Sequence, residues 1–543
     1  MNAVPPFRHR LLRRRRRAVG SRAVGSRAVG SRAVGSRAVG LIAAAVAGAL
    51  LLSSCTLLAP SKEAAPSISS AAPENLVGTP AELNSYYTQS VTWNGCEKSF
   101  ECTTVKVPLD YAAPQGKSIS LALIRLAATG EKQGSLLVNP GGPGASGYNM
   151  VRDGGKTYFS AKLRGAYDVV GFDPRGVQRS SPVQCVDDAT QDKERQESFD
   201  LDTDAGLAGY EAEHKADTAQ CEAKSGGVLP YIDTESSAKD MDVIRAVLND
   251  KKLNYMGFSY GTKLGATYAG LFPHNVGRFS LDGALDPSLT DADITMGQAA
   301  GFEQAIHSWA AHCLQDAKCP VSGTPEQAVQ QIRDLNASYV DNPQKTKDGR
   351  LVTAEEFTGA LAFAMYSTDL WDPLESALTT AFKGDSNAIL TLADYSADRD
   401  ASGHYTTNTA AAFTAINCLD YPMETNVAAM RSQSQELQKV SPTFGKMLGY
   451  SGLTCKDWPA PVVDKPAKVT ADGAGPILVI GTTRDPATPY QWAQSLSAQL
   501  SSGVLVTWDG DGHTAYGRAN DCLTNAVDGY FVDGKVPADK TRC

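Results

Sequence analysis

The sequence predicts an α/β fold with a mostly parallel central sheet and an inserted, mainly helical cap. Two observations support this prediction. Short apolar segments alternate with helix-like segments near both ends of the chain, as in a parallel sheet covered on both faces. Between about residues 286 and 465 this alternation stops and helical patterns dominate. We therefore expect a core in two parts, 86–285 and 466–543, separated by a cap at 286–465.

The first part of the core has a recurring pattern of strand-like segments. These segments lie at 103–109, 118–126, 135–139, 167–172, 253–256 and 278–281. Helical spacing of apolar residues at Met241, Ile244 and Val247 predicts a helix over 240–248. A second helix is expected over 262–269, directly after the fifth strand-like segment.

The cap and the second part of the core contain further recognisable elements. In the cap, Thr324, Pro325 and Gln327 form a helix start signal, in which the threonine and glutamine make a capping box. The continuous apolar run at 477–480 is typical of a fully buried parallel strand. The other expected elements are cap helices at 325–335 and 354–365, core helices at 491–500 and 519–530, and a strand at 504–508.

One pentapeptide, Gly257-Phe258-Ser259-Tyr260-Gly261, has the form G-x-S-x-G between a predicted strand and a predicted helix. This context is typical of a nucleophile elbow, in which a sharp turn exposes the serine hydroxyl above the sheet. The pattern alone is weak, because glycine and serine are common in ordinary turns. Its position favours Ser259 as the nucleophile of an α/β-hydrolase fold.

The remaining members of a catalytic triad are expected after Ser259, in the order acid and then histidine. Asp485 follows the strand at 477–480 and His513 follows the strand at 504–508. His513 can remove the serine proton, while Asp485 orients the imidazole and stabilises its charged form. Asp509 and Asp511 are rival acids, but they lie too close to His513 in sequence for the usual separate loop.

A glycine-rich turn follows the strand at 135–139, where an oxyanion-binding loop belongs. The residues are Pro140-Gly141-Gly142-Pro143-Gly144. Glycine allows the backbone to approach a substrate and to point an N–H group at it. We expect the N–H groups of Gly142 and Tyr260 to form the oxyanion hole; the alternative is a simple tight turn.

The N-terminal 54 residues form a predicted lipoprotein-type signal peptide. They carry eleven arginines and no acidic residue, partly in Ser-Arg-Ala-Val-Gly repeats, and then an apolar run at 41–52 that is too short to span a bilayer. The sequence Leu52-Ser53-Ser54-Cys55 resembles a bacterial lipobox, which predicts lipidation of Cys55. An ordinary secretory signal is the alternative. Residues 55–85 are expected to form a flexible tether rich in Ala, Pro and Ser.

The other cysteines support export from the cytoplasm. Their even number favours disulfide bonds, and neighbours in sequence pair most simply, although sequence does not prove connectivity. These pairs are Cys96–Cys102, Cys185–Cys221, Cys313–Cys319, Cys418–Cys455 and Cys522–Cys543. The chain has no C-x-x-C motif, and the group around His307 and His312 lacks zinc-site spacing, so no metal or other cofactor is predicted.

The net charge of the chain argues against nucleic acid as a partner. Beyond residue 54 the chain has 40 basic and 59 acidic residues, a net charge of −19. Such a surface has no electrostatic reason to attract nucleic acid, and no nucleic-acid partner is predicted. The predicted lipid anchor makes the membrane an expected partner.

Five motifs together resemble the secreted tripeptidyl aminopeptidase family of actinobacteria. They are Asn139-Pro140-Gly141-Gly142-Pro143-Gly144, Gly171-Phe172-Asp173-Pro174-Arg175-Gly176, the pentapeptide around Ser259, the segment 481–489 around Asp485, and Gly512-His513-Thr514-Ala515-Tyr516-Gly517. The resemblance covers about residues 85–543 and implies an α/β-hydrolase serine exopeptidase related to prolyl aminopeptidases. It implies release of short peptides from free N-termini, with the cap limiting access. One departure is Gln178, where the family pattern leads us to expect glycine.

Two questions stay open at the level of sequence. An aminopeptidase needs a group for the substrate α-amine, and Asp369, Asp372 and Asp420 in the cap are candidates that no spacing rule separates. The same triad also serves an esterase or amidase acting on small acyl substrates. A non-catalytic binding lipoprotein with a decayed hydrolase fold is the alternative from another class, but Ser259, Asp485 and His513 argue against it.

Overall fold

The computed structural model describes residues 68–69 and 79–543. The predicted signal peptide 1–54, Cys55 and most of the tether 55–85 lie outside the described residues. Among the residues that are described, no helix combines the length and hydropathy needed to cross a bilayer.

Thirteen strands are defined in the described residues. They are β1 (Ile68–Ser69), β2 (Thr92–Cys96), β3 (Phe100–Pro108), β4 (Ser118–Leu126), β5 (Gly134–Asn139), β6 (Tyr167–Phe172), β7 (Leu253–Phe258), β8 (Val276–Asp282), β9 (Gln344–Lys345), β10 (Leu351–Val352), β11 (Ile477–Arg484), β12 (Gly503–Asp511) and β13 (Thr541–Arg542). Except for β9 and β10, they form an eleven-stranded sheet in the order β1-β2-β3-β4-β6-β5-β7-β8-β11-β12-β13.

The helices of the first part of the core are α1 (Asn84–Tyr87), α2 (Gly147–Gly154), α3 (Ala161–Ala166), α4 (Asp188–Glu194), α5 (Asp204–Ser225), α6 (Thr234–Val247) and α7 (Tyr260–Leu271). Those between β8 and β11 are α8 (Asp291–Cys313), α9 (Pro325–Asp341), α10 (Ala354–Met365), α11 (Trp371–Ala381), α12 (Asn387–Ser396), α13 (Thr409–Asp420), α14 (Val427–Val440) and α15 (Gly445–Leu448). The last two are α16 (Tyr490–Gln499) and α17 (Asp521–Asp533). Short 3₁₀ helices lie at Ala81–Leu83, Leu229–Tyr231, Pro273–Asn275, Thr368–Leu370 and Ser451–Cys455.

The centre of the sheet is parallel, as predicted. Strands β6, β5, β7, β8, β11 and β12 pair in parallel, whereas β2, β3, β4 and β6 form the antiparallel side. Strand β7 lies near the middle, and its register pairs Asn139 with Gly257 and Phe258 with Asp282. The carboxyl ends of β5, β7 and β8 therefore lie side by side, which positions the loops that follow them.

Three hydrophobic clusters account for most of the interior. Two of them cover the faces of the sheet, one with α6, α7 and α16 and the other with α2, α3 and α17. The third lies in the helical region between β8 and β11 and includes Trp309, Phe357 and Phe444. It also includes Ala487, from the loop that follows β11, so this core reaches the loop that carries Asp485.

A buried ion pair fixes the loop after β6. Arg175 uses all its N–H groups: two hold the Asp240 carboxylate at 2.7 Å, and the others reach the carbonyls of Pro108, Leu109 and Tyr231. Both charged side chains are fully buried. Since a buried guanidinium needs every donor satisfied, this arrangement explains why the motif Asp173-Pro174-Arg175-Gly176 has an arginine there.

Five disulfide bonds join the cysteines that the simple neighbour pairing put together. They are Cys96–Cys102, Cys185–Cys221, Cys313–Cys319, Cys418–Cys455 and Cys522–Cys543. Disulfide bonds persist in oxidising compartments and are rare in the cytosol. The protein is therefore extracytoplasmic.

Candidate active site

Ser259 lies at a sharp turn between β7 and α7. Its backbone angles are φ 57° and ψ −128°, a region that residues with a side chain seldom occupy. The flanking glycine is needed because a Cβ on Gly257 would overlap the carbonyl of Gly261. A backbone hydrogen bond stabilises the turn: the Ser259 N–H donates to the Asp282 carbonyl at 2.9 Å. These features are those of a nucleophile elbow.

The loop after β5 lies against this turn. A Cβ on Gly141 would come within 3.0 Å of the Tyr260 nitrogen, so the two backbones are in close contact. The Gly141 N–H donates to the Asn139 side chain at 2.9 Å, which removes it as a donor to substrate. In the described part of the chain, the N–H groups of Gly142 and Tyr260 have no protein acceptor. Both residues line the cavity beside Ser259.

Asp485 and His513 meet at the ends of β11 and β12. His513 Nδ1 lies 2.9 Å from each carboxylate oxygen of Asp485. An ionised carboxylate only accepts hydrogen bonds, so the network assigns the proton to Nδ1 and leaves a lone pair on Nε2. His513 Nε2 is buried and has no hydrogen-bond partner among the described residues.

Asp485 is held by several donors besides the histidine. The N–H groups of Ala487 and Thr488 reach Oδ1 at 2.9 Å, and the Thr514 N–H reaches Oδ2 at 3.2 Å. The Thr488 hydroxyl lies 3.1 Å from Oδ2 and 3.3 Å from His513 Nδ1. Such bonds stabilise an ionised carboxylate and fix its orientation toward the imidazole.

The rival acids have other partners. Asp511 pairs with Arg484 Nε at 2.8 Å, and Asp509 pairs with Arg484 Nη1 at 2.9 Å. Neither carboxylate contacts His513. The geometry therefore brings together His513 and Asp485, as the order along the chain predicted.

The carboxyl end of β8 contacts both His513 and Ser259, so these two residues lie near each other. A Cβ on Gly283 would lie 3.1 Å from the His513 ring, and Gly283 follows Asp282, whose carbonyl holds the Ser259 N–H. No hydrogen bond joins Ser259 Oγ to His513 Nε2 in the described structure. In an unliganded enzyme such a contact is often long and tightens only with substrate.

Several residues of the site were not predicted from sequence. The Asp282 carboxylate accepts the N–H groups of Ala515 and Tyr516 and so anchors the loop after His513; burial raises its pKa to about 6. Tyr366, at the end of α10, accepts the His513 N–H at 2.9 Å, and its ring lies edge-on to the imidazole. Asp282-Gly283 at a strand end was a visible signal, whereas nothing local marks Tyr366.

The three α-amine candidates, which lie between β8 and β11, do not line the cavity. Asp420 is fully buried, pairs with Lys263 Nζ at 3.0 Å and accepts the Thr234 N–H at 2.9 Å. Asp369 and Asp372 are exposed, and neither lines the cavity. Gln178 does not line it either; it has φ 44°, where glycine is favoured, and its N–H donates to Asn408.

The cavity at Ser259 has a volume of about 460 Å³. Its wall combines Gly142, Ser259 and Thr488 with residues of the helices between β8 and β11. A volume of this order suits a short peptide or a small ligand. Among the described residues, no group of three or more His, Cys, Asp and Glu side chains could hold a metal ion.

Comparison with known proteins gives a consistent result. A family model described as TAP-like protein matches residues 441–543. Serine protease Hip1 of Mycobacterium tuberculosis is 37% identical over 476 residues, covering 84% of this chain and 91% of that protein. Tripeptidyl aminopeptidase of Streptomyces lividans is 32% identical over 474 residues, covering 83% and 86%.

A third relative has a different name. Carboxylesterase B of Mycobacterium tuberculosis is 37% identical over 467 residues, covering 83% of this chain and 89% of that protein. The likeness to these relatives extends over most of both chains, and the residues that match the family model include Asp485 and His513. The chain is a serine hydrolase and belongs to the tripeptidyl aminopeptidase-like family of α/β-hydrolase serine peptidases.

Proposed function

We propose that Ser259, His513 and Asp485 form the catalytic triad of an exopeptidase that removes short peptides, chiefly tripeptides, from free N-termini. The observation that carries this proposal is the pair of 2.9 Å contacts between His513 Nδ1 and Asp485, beside a serine at a strained elbow. The relatives named tripeptidyl aminopeptidase and serine protease support the peptide as substrate class.

The chemistry follows from these positions. Nε2 of His513 takes the Ser259 proton as Oγ attacks the carbonyl carbon of the scissile peptide bond. The N–H groups of Gly142 and Tyr260 stabilise the negative oxygen of the tetrahedral intermediate. The protonated imidazole then gives its proton to the departing amine, which leaves a peptidyl ester on Ser259. Water, deprotonated by the same nitrogen, hydrolyses this ester and restores the serine.

The helices between β8 and β11 act as a lid in this proposal. Their hydrophobic core includes Ala487, and Tyr366 holds the His513 backbone. On the other side of the site, α13 contacts the oxyanion loop, where Gly144 packs against Ala412. A lid that lines the cavity and contacts both loops admits chain ends and excludes folded proteins.

The exopeptidase proposal predicts a strong dependence on the free α-amine. We expect N-acetylation of a tripeptidyl fluorogenic substrate to lower kcat/KM by about 10- to 100-fold, since a charge-assisted contact is lost. Release of the fluorophore from the free and acetylated forms measures this. Casein serves as a second substrate and should be cleaved very slowly.

Equal rates on the free and acetylated peptides would remove the exopeptidase proposal and favour the second candidate, an esterase or amidase on small acyl substrates. The observation that supports this second candidate is the likeness to the relative named carboxylesterase B. A panel of p-nitrophenyl esters, measured in parallel with the peptides, separates the two. The esterase candidate predicts that a short acyl ester exceeds every peptide in kcat/KM.

We also propose that the protein is anchored to the membrane through lipid on Cys55. Acyl chains contribute about 0.8 kcal/mol of membrane affinity per buried CH₂. Two chains anchor a protein stably, whereas a single chain binds it to the membrane only weakly. Cys55→Ser should therefore move the protein from the membrane fraction to the soluble fraction, or leave it unprocessed. Ser54→Ala, which keeps a small residue before the cysteine, should stay anchored. Membrane retention of a processed Cys55→Ser protein would contradict lipidation.

A further inference from the structure

One helix forms a wall of the cavity at Ser259. Asp291, Ile294, Thr295 and Gln298 of α8 all line it. Their spacing of three, four and seven residues places them on a single face of the helix. At one end of this face, the Gln298 side chain donates to the Ala487 carbonyl at 3.0 Å, close to Asp485. At the other end lies Asp291, the first residue of α8.

Asp291 is the sole carboxylate among the residues that line this cavity, and no lysine, arginine or histidine lines it. Within the described part of the chain, Asp291 forms no salt bridge, unlike Asp420 with its lysine. Burial raises the pKa of its carboxyl group, and the Ser451 hydroxyl only partly opposes this. A partly buried carboxylate without a cationic partner is stabilised when a cation arrives.

The start of α8 does not require this carboxylate. Thr290 and Asp293 already form a capping box, with the Thr290 hydroxyl accepting the Asp293 N–H and the Asp293 carboxylate accepting the Thr290 N–H. Asp293 is exposed and does not line the cavity. The helix thus has a capping acid and, two residues before it, an acid on the cavity wall.

The length of this helix face matches the length of a tripeptide. Seven residues separate it from Gln298, which corresponds to about 10 Å at the rise of an α-helix. Three extended residues span roughly the same length. A tripeptide that runs along α8 with its third carbonyl at the Gln298 end of this face, beside the loop that carries Asp485, therefore has its N-terminus near Asp291.

We infer that Asp291 binds the α-ammonium group of the substrate and so selects free N-termini and sets the length of the released peptide. This inference rests on the proposed exopeptidase function. The α-ammonium group of a peptide carries a full charge at neutral pH and three N–H donors, which suit a carboxylate and the neighbouring Ser451 hydroxyl. Ile294, Leu285 and Phe413 line the same cavity and offer apolar contacts to the side chains of the peptide.

The test compares Asp291→Asn with Asp293→Asn in the full-length processed enzyme. Each is assayed with a tripeptidyl substrate, its N-acetyl form, and p-nitrophenyl acetate, which has no amine. For Asp291→Asn we expect kcat/KM on the free peptide to fall about 10- to 100-fold, mainly through KM, with little change on the ester and the acetylated peptide. Asp293→Asn should keep the full preference for the free amine. Asp291→Glu, which keeps the carboxylate, should retain much of the preference for the free amine.

The outcomes separate this inference from the function on which it rests. If the parent enzyme treats free and acetylated peptides alike, the exopeptidase proposal fails. If the parent discriminates and Asp291→Asn discriminates equally well, the exopeptidase proposal stands and the role of Asp291 is wrong. Should Asp291→Asn lose ester turnover, Asp291→Ser repeats the test with a residue that helix starts accept. Loss of ester turnover in both variants would also contradict the inference, because the carboxylate would then serve the fold.

Discussion

Replacing Ser259 by alanine should lower kcat on peptides by about 10⁴- to 10⁶-fold, the range for loss of one member of a serine triad. In the proposed mechanism the Ser259 hydroxyl forms the acyl-enzyme, and alanine has no atom that can replace it. The turn itself is held by backbone contacts, including the Ser259 N–H to the Asp282 carbonyl, so the fold should persist. Turnover of a tripeptidyl substrate and covalent labelling by a fluorophosphonate both measure the loss.

A second serine on the cavity wall provides the matched control. Ser396, at the end of α12, lines the same cavity but lies on the helical region rather than on the elbow. Ser396→Ala should therefore keep both labelling and turnover near the parental level. Near-parental turnover by Ser259→Ala, or labelling of that variant at another residue, would show that the elbow does not carry the nucleophile.

Sequence predicted the elements whose pattern is local. The strand at Tyr167–Phe172 and the helix at Ala354–Met365 begin and end where they were expected, and the capping box of Thr324 and Gln327 is present. Apolar periodicity and capping residues encode such features within a few positions. Helix α5 was missed, because only four of its 22 residues are buried and the apolar face is weak.

The residues of the candidate site also fall into two groups, those that sequence predicted and those that it did not. Ser259, Asp485 and His513 follow strands at the same edge of the sheet, so the order of elements was enough to bring them together as candidates. Tyr366 and Asp291 come from the helices between β8 and β11, where no regular topology relates sequence position to location in space. Asp420 is a residue that sequence suggested and the structure does not support. Its carboxylate suited an α-amine site, but it is paired with Lys263.

Asp485→Asn should lower kcat by roughly 10⁴-fold while leaving the fold intact. The structure specifies how this loss arises. Because Oδ1 accepts two backbone N–H groups, from Ala487 and Thr488, the oxygen of the asparagine amide belongs at that position. Its NH₂ group then occupies the place of Oδ2 and donates to His513 Nδ1. This contact favours the imidazole tautomer with its proton on Nε2, which cannot accept the proton of Ser259.

The pH dependence and two control variants identify the acid. If the tautomer is the cause, the activity of Asp485→Asn stays low across the neutral range instead of recovering at a shifted optimum. Asp509→Asn and Asp511→Asn remove carboxylates that pair with Arg484 and make no contact with His513, so each should retain most of the activity. A loss of about 10⁴-fold in either of these variants, with Asp485→Asn active, would mean that the imidazole is oriented by a carboxylate other than Asp485.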